Sequence, residues 1–192
     1  MAYKKSFPYE IGDLGPRDLN ESLHNIGIVI RVFSDIEHCL SLILMSELEI
    51  SEVQNLILLG RMSISAKLGK VESLMTTDGR GKDFKTVFDS DFYGYLNVRN
   101  ILAHGFYLGT MQDEDKTTHM FRTVDLKELE GDHGPITEVA GLSDGSISVA
   151  AKETVEYANK IIEHYGLRPS LEKSLQQALV RRKQARKPRK KS

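Results

Sequence analysis

The sequence predicts a mostly helical protein that carries one small β-hairpin. Apolar residues recur three and four positions apart through most of the chain, which is the spacing of one buried helix face. β-Forming residues are concentrated in 106–111 and 118–124, and a polar connection separates these two runs, as in a hairpin. Hydrophobic residues make up 40 % of the 192, enough for one core, and the length is typical of a single domain. We therefore expect a bundle of four to five helices with the hairpin inserted late in the chain.

The first two expected helices begin at Pro16 and at the capping residue Ser51, and Gly105 and Gly166 follow the helices that end at 104 and 165. The segments are 16–44, 51–62, 64–75, 84–104 with an interruption at 89–91, and 146–165, and a weaker helix is expected at 170–182. The first is the longest and should make roughly seven to eight turns. Its apolar stripe consists of Leu19, Leu23, Ile26, Ile30, Phe33, Leu40 and Leu44.

Glu37 interrupts the apolar stripe of the first helix. Burying an unpaired carboxylate costs several kcal/mol, so its position needs an explanation. In one interpretation the stripe is slightly rotated, Ile36 fills the apolar face and Glu37 lies at its edge. In the other, Glu37 faces a polar cleft and pairs with Arg99 or His104 of the same or a second subunit.

The domain organisation is predicted from these segments and from charge. Residues 1–15 should be an irregular arm, and 16–168 a single helical domain with the hairpin and a glycine-containing loop at about 106–145. Residues 169–192 should form a weak helix followed by a disordered basic tail.

The tail concentrates positive charge in a chain whose net charge is only −1. Eight of the 26 basic side chains lie in 181–192, which leaves 18 against 27 acidic ones. Such a segment is either a solubilising end or an electrostatic arm for RNA or DNA, because cations displace counterions from phosphates without a fixed shape. Its basic residues are Arg181, Arg182, Lys183, Arg186, Lys187, Arg189, Lys190 and Lys191.

Several classes of protein are not expected. Cys39 is the only cysteine, so neither an internal disulfide nor a cysteine-based zinc site is expected. No histidine or carboxylate cluster has metal-ligand spacing, and we expect no metal and no cofactor. The apolar runs are too short to cross a bilayer, and no secretory signal is visible. We therefore expect a cytoplasmic protein.

The segment 98–105 reads V-R-N-I-L-A-H-G and combines residues that can act on a phosphodiester. Asn100 and His104 are four positions apart and share a helix face. Arg99 and His104 are five apart, which places them about 140° from each other around the helix axis. One helix therefore does not bring the two groups into ideal register. A second copy of the helix, packed nearby, would surround one cleft with two Arg/His pairs, so the spacing favours a homodimer.

These residue types suit RNA cleavage without a metal. His104 in the last helical turn feels the negative end of the helix dipole, and an imidazole can give or take a proton near neutral pH. Arg99 can hold a phosphate through two parallel hydrogen bonds and stabilise charge on its oxygens, while Asn100 orients the histidine or the phosphate. RNA supplies a 2′-hydroxyl beside the scissile phosphate; DNA lacks this group and could be bound but not cut.

The segment Arg99-Asn100-Ile101-Leu102-Ala103-His104, at the end of a helix in a small helical protein, resembles the motif of the HEPN superfamily. That motif is an arginine, a polar residue and a histidine four to six positions after the arginine, and Arg99, Asn100 and His104 match it one by one. The resemblance implies a four- or five-helix HEPN-like bundle that dimerises through the motif helices. It also implies a metal-independent endoribonuclease of a toxin–antitoxin, abortive-infection or other defence system, with an antitoxin or other inhibitory partner.

Other interpretations of the motif remain open at this stage. The same cleft could bind RNA, a nucleotide or a partner protein without cutting, as a non-catalytic HEPN-like module. The motif helix could also be only the contact surface of a dimer. Alternatively, Arg99 and Asn100 could tie the helix end to its neighbours, with His104 bonded to a carbonyl group.

Overall fold

The computed structural model describes residues 16–113, 116–125 and 136–185. The mostly helical class is confirmed, but these ranges hold seven helices and three strands, where four to five helices and one hairpin were expected. In chain order they are α1 (Pro16–Glu47), α2 (Glu52–Leu59), α3 (Ile64–Thr77), α4 (Gly81–Val87), α5 (Ser90–His104), β1 (Phe106–Asp113), β2 (Lys116–Asp125), β3 (Ile136–Ser143), α6 (Asp144–His164) and α7 (Arg168–Ala185).

Side chains at the helix ends explain most of these boundaries. Ser51 caps α2 through a complete capping box with Gln54, as the sequence predicted. The Asp89 carboxylate accepts a hydrogen bond from the Phe92 amide at 3.0 Å, so a new helix begins at Ser90. The interruption expected at 89–91 lies at 88–89. After α6 the chain turns at Gly166, whose φ of +60° is readily adopted only by glycine.

Helix α1 buries the predicted apolar stripe only in part. Leu23 is 56 % exposed, whereas Phe33 and Leu40 of the stripe are almost fully buried together with Val29 and Ile36. The buried face is therefore slightly rotated relative to the predicted stripe. This burial agrees with the interpretation in which Ile36 fills the apolar face and the neighbouring Glu37 lies at its edge.

Contacts within the chain divide it into two compact units, Met1–Ser34 with Phe88–Tyr157 and Asp35–Val87 with Ala158–Ser192. The first unit buries an aromatic group in which the Phe92 ring lies 5.9 Å from Phe33 and 5.0 Å from Phe88. It also buries Phe121, Leu142 and Ile147 as a second cluster. We call this second group the sheet cluster.

The second unit is held by aliphatic packing and by charge pairs. Its buried apolar side chains include Leu40, Leu44, Leu68, Val71 and Phe84. The Arg80 guanidinium binds both carboxylate oxygens of Glu47 and also Asp78, which fixes the turn between α3 and α4 to the end of α1. Burial raises the pKa of the Cys39 thiol to about 11, so this cysteine is held as a neutral apolar side chain.

The three strands form one antiparallel sheet in the order β1-β2-β3. The hairpin β1–β2 is confirmed, but the loop expected up to about residue 145 is wrong at 136–143, which is β3. Gly141 contributed to the loop prediction, yet it lies in the strand opposite Met120. A Cβ on Gly141 would be 3.0 Å from the Thr118 side chain, so its lack of a side chain serves close packing across the sheet.

The ends of the chain are described only in part. The arm predicted for 1–15 lies outside the described residues, as do Arg186, Lys187, Arg189, Lys190 and Lys191 of the tail. Helix α7 continues to Ala185, so the backbone at Arg181, Arg182 and Lys183 is helical. Among the residues with described structure, none of the helices combines the length and the apolar character needed to cross a membrane.

Lys67 is the partner that explains Glu37 within the second unit. Lys67 lies on α3 and is only 5 % exposed. Its Nζ donates a hydrogen bond to Glu37 Oε1 at 2.8 Å, and the Glu37 side chain is 34 % exposed. The position is consistent with the helix period, because Lys67 lies three residues after Ile64 and four before Val71, both of which are buried.

Removing only the carboxylate, as in Glu37→Leu, should leave the Lys67 ammonium buried without a counter-charge. Removing one partner of a buried ion pair usually lowers the free energy of unfolding by about 3–5 kcal/mol. We expect a value near the lower end of this range, because Glu37 is partly exposed. The double variant Glu37→Leu/Lys67→Met should recover most of this loss. Urea unfolding of the three proteins measures the effect, and equal stability of the single and double variants would contradict the pairing.

Candidate functional site

The three motif residues lie in the last two turns of α5, in the first unit. The helix ends at His104, and the next residue but one, Phe106, already belongs to β1. Gly105 follows the helix where the sequence predicted it. Its φ of −68° and ψ of 139° are extended, however, so it does not form a left-handed helix cap. The motif helix therefore passes directly into the sheet.

A single chain brings the three motif side chains together. Arg99 Nη1 donates hydrogen bonds to Asn100 Oδ1 and to His104 Nε2, both at 3.1 Å. The Arg99 side chain therefore reaches His104 within one helix, although their spacing of five residues does not place the two in ideal register. The long arginine side chain turns along the helix and spans the angular gap.

The hydrogen bond to Arg99 assigns a protonation state to His104. Arginine has only donors, so Nε2 must offer a lone pair, and the imidazole is neutral with its proton on Nδ1. His104 is exposed, whereas Arg99 and Asn100 are half-buried. The arrangement presents a neutral histidine at the surface, with its acceptor nitrogen already aligned on a cation.

Arg99 has one donor that the described part of the chain does not satisfy. Its Nε is buried and has no hydrogen-bond partner there. A buried donor without an acceptor costs about 1–3 kcal/mol, which is why such groups are rare in folded proteins and require an explanation. An arginine that folding does not fully satisfy is suited to bind an external anion.

The apolar side of α5 fixes the motif against the sheet. Val98, Ile101 and Leu102 pack on the sheet cluster. At the helix end, a Cβ on Gly105 would lie 2.4 Å from the Ile101 carbonyl oxygen and 3.1 Å from Phe121 Cβ. Because there is no room for a side chain at this point, the end of the helix and strand β2 approach closely, and the position of His104 is set by packing.

Glu37 and the basic tail are not placed beside the motif by any described contact. Glu37 belongs to the second unit, where its carboxylate is engaged by Lys67. Its support of Arg99 or His104 stays a prediction. The side chains of the eight basic tail residues are not described, and their binding of nucleic acid also stays a prediction.

The structure adds a group of polar residues that the sequence analysis did not recognise. His119 Nε2 lies 2.7 Å from Asp144 Oδ1, and His119 Nδ1 lies 3.3 Å from the Tyr107 hydroxyl. Ser22 Oγ donates to the same Asp144 oxygen at 2.5 Å. Strand alternation could have signalled the group, since His119 and Phe121 are two residues apart and share the buried face of β2.

Comparison with protein-family models, with curated proteins and with solved structures found no match to this chain. The resemblance to the HEPN superfamily therefore depends on the motif residues themselves. Within the described ranges, no group of three or more His, Cys, Asp or Glu side chains is arranged to hold a metal ion.

Replacing Gly105 by alanine should force the end of α5 away from the sheet. We expect Gly105→Ala to lower the free energy of unfolding by about 1–3 kcal/mol, the usual effect of overpacking. Gly94→Ala is the matched control. Gly94 lies within α5, and a Cβ added there would meet nothing within 4 Å. The control should gain roughly 0.5–1 kcal/mol from the higher helix propensity of alanine. Chemical denaturation compares the two, and a Gly105→Ala protein as stable as the control would refute the close approach.

Proposed function

We propose that this chain is a metal-independent endoribonuclease that cleaves RNA by attack of a 2′-hydroxyl on the adjacent phosphate. The observation that supports the proposal best is the hydrogen bond from the Arg99 guanidinium to the neutral Nε2 of His104, at 3.1 Å. It pairs a phosphate-binding cation with a proton acceptor at an exposed helix end. The resemblance of the motif to the HEPN superfamily supports the same activity.

Binding of a phosphodiester would activate this pair. A phosphate oxygen is a stronger acceptor for a guanidinium than a neutral imidazole or an amide, because the hydrogen bond is charge-assisted on both sides. Arg99 then turns from His104 to the phosphate, and the His104 lone pair becomes available for the 2′-hydroxyl proton. The guanidinium at the same time stabilises the negative charge that grows on the phosphorus-bound oxygens in the transition state.

Asn100 has a positioning role in this proposal. Its Oδ1 accepts from Arg99 Nη1, so it restrains the guanidinium on the side of the helix that faces His104. The amide group remains a donor for a second phosphate oxygen. In this arrangement Arg99 carries the charge, His104 moves the proton and Asn100 limits the freedom of both.

The oligomeric state, the cellular role and the partner are proposed from the resemblance to the HEPN superfamily. We propose a cytoplasmic homodimer with a composite cleft, in which the motif helices of two copies form opposite sides of the RNA path. A role in a toxin–antitoxin, abortive-infection or other defence system, held in check by an antitoxin-like partner, belongs to the same proposal. The basic tail 181–192 would add affinity for RNA that decreases steeply with salt.

Purified protein should cleave single-stranded RNA in EDTA and leave 2′,3′-cyclic phosphate ends. Arg99→Ala and His104→Ala should each lower the cleavage rate about 10²- to 10⁴-fold, because each removes a group that acts in the transition state. Arg31→Ala and His24→Ala are the matched controls, since both residues are exposed on α1 in the same unit. Gel analysis of end-labelled RNA, with circular dichroism to verify folding, measures the outcome.

Two results would contradict the proposal. Cleavage that continues undiminished in His104→Ala would exclude this histidine from the reaction. RNA that is bound but left intact by dimeric wild-type protein would favour the non-catalytic binding module instead. An oligonucleotide with 2′-deoxy sugars throughout should bind and remain uncut, which separates binding from the 2′-hydroxyl chemistry.

A further inference from the structure

A buried histidine connects an exposed tyrosine to a carboxylate in the first unit. His119 is only 4 % exposed, and its two ring nitrogens have different neighbours, Asp144 on Nε2 and Tyr107 on Nδ1. The Tyr107 side chain is 40 % exposed, so this chain of hydrogen bonds extends from the interior to the surface. All three residues lie in the same unit as the motif.

The direction of one hydrogen bond is determined by chemistry. An ionised carboxylate only accepts, so His119 Nε2 carries a proton and donates to Asp144. Nδ1 can then either accept from the Tyr107 hydroxyl or, in the imidazolium, donate to its oxygen. The second form is an ion pair in which a positive imidazole is held against Asp144, itself fixed by Ser22. His119 therefore links the Asp144 carboxylate to the Tyr107 hydroxyl through its two ring nitrogens.

Covalent geometry keeps this group near the motif. Tyr107 is three residues after His104, so their Cα atoms are at most about 11 Å apart, even for a fully extended chain. The Tyr107 ring packs against Phe121, with ring centroids 5.4 Å apart, and Phe121 is also the side chain that Gly105 approaches. The tyrosine and the motif are thus positioned by the same part of the sheet.

Cleavage by a 2′-hydroxyl needs two proton transfers, and His104 alone supplies one of them. The neutral state of His104 suits the base that removes the 2′-hydroxyl proton. The departing 5′-oxygen needs a proton from a second group, because an alkoxide is a poor leaving group in water. Tyr107, backed by His119 and Asp144, is a proton donor of this kind within a few residues of the motif.

We propose that Tyr107 is the general acid of the cleavage reaction and that His119 and Asp144 form its proton relay. The 2′-oxygen bonds to phosphorus as its proton passes to His104 Nε2, and the bond from phosphorus to the 5′-oxygen breaks. The 5′-oxygen takes the Tyr107 proton, while Tyr107 takes the Nδ1 proton of the His119 imidazolium. The products are a 2′,3′-cyclic phosphate and a 5′-hydroxyl. Water returns the proton from His104 to His119, so no proton is gained or lost overall.

The inference depends on the proposed nuclease function and assigns its second proton-transfer group. Replacing the 5′-bridging oxygen by sulfur distinguishes the two roles, because a thiolate leaves without protonation. The test uses an RNA oligonucleotide that spans a site cleaved by the wild-type protein, with either oxygen or sulfur at the 5′-bridging position. Single-turnover rates are measured in EDTA for full-length wild-type protein and for each variant.

The Tyr107→Phe protein should cleave the oxygen substrate about 10²- to 10⁴-fold more slowly than the wild-type protein. It should cleave the sulfur substrate at close to the wild-type rate. Asp144→Asn keeps an acceptor for His119 but removes the charge that stabilises the imidazolium, and it should show the same rescue by sulfur. His104→Ala should remain slow on both substrates. Tyr93→Phe is the matched control, because this tyrosine is 42 % exposed and lies on α5.

Each other outcome rejects a specific part of the inference. Tyr107→Phe that is equally slow on both substrates would show a structural role, and Tyr107→Phe that is fast on both would remove this residue from the reaction. Rescue of His104→Ala by sulfur would make His104 the acid and overturn the assignment. If wild-type protein cleaves neither substrate, the nuclease proposal itself fails, which is distinct from loss of cleavage in the variants alone.

Discussion

The absence of a side chain at Gly105 is the constraint on which the rest of the motif region depends. Because the backbone there approaches both the Ile101 carbonyl and Phe121, α5 can end against the sheet and continue into β1 without an intervening loop. A loop of ordinary length would give His104 and Tyr107 independent mobility. Only Gly105 connects α5 to β1. Packing against the sheet, rather than a flexible connection, therefore determines the positions of His104 and Tyr107.

The two histidines of this region differ in ways that follow from their surroundings. His104 is exposed and faces a cation, which favours the neutral ring with its acceptor directed at Arg99. His119 is buried and donates from Nε2 to the Asp144 carboxylate. Two groups of the same chemical type thus have opposite neighbours, a cation at His104 and an anion at His119.

Local rules predicted the helix starts and ends well, because the capping side chains act within a few residues of themselves. Ser51 and Gly166 each lie at a boundary for the reason that the sequence suggests, whereas Asp89 was expected only within an interruption and proves to be a helix cap. Strand β3 was missed because Gly141 suits either a loop or a close contact across a sheet, and only the partner strand decides between them. The other features depend on contacts between residues that are distant in the sequence, or on side-chain conformation. The partner of Glu37 is thirty positions away, and the reach of Arg99 to His104 depends on a rotamer, which residue spacing does not determine.

Arg99 Nε, which has no hydrogen-bond partner among the described residues, affects how this position contributes to folding. Considered only as part of a helix packed on a sheet, an unbranched apolar side chain such as methionine would fill the same volume without desolvating a donor. A buried donor without an acceptor at this guanidinium would cost the folded state about 1–3 kcal/mol. Stability withheld in this way is commonly found where a protein reserves binding energy for a ligand. A substitution at position 99 that raises the thermal stability of the protein should therefore lower its affinity for an anion.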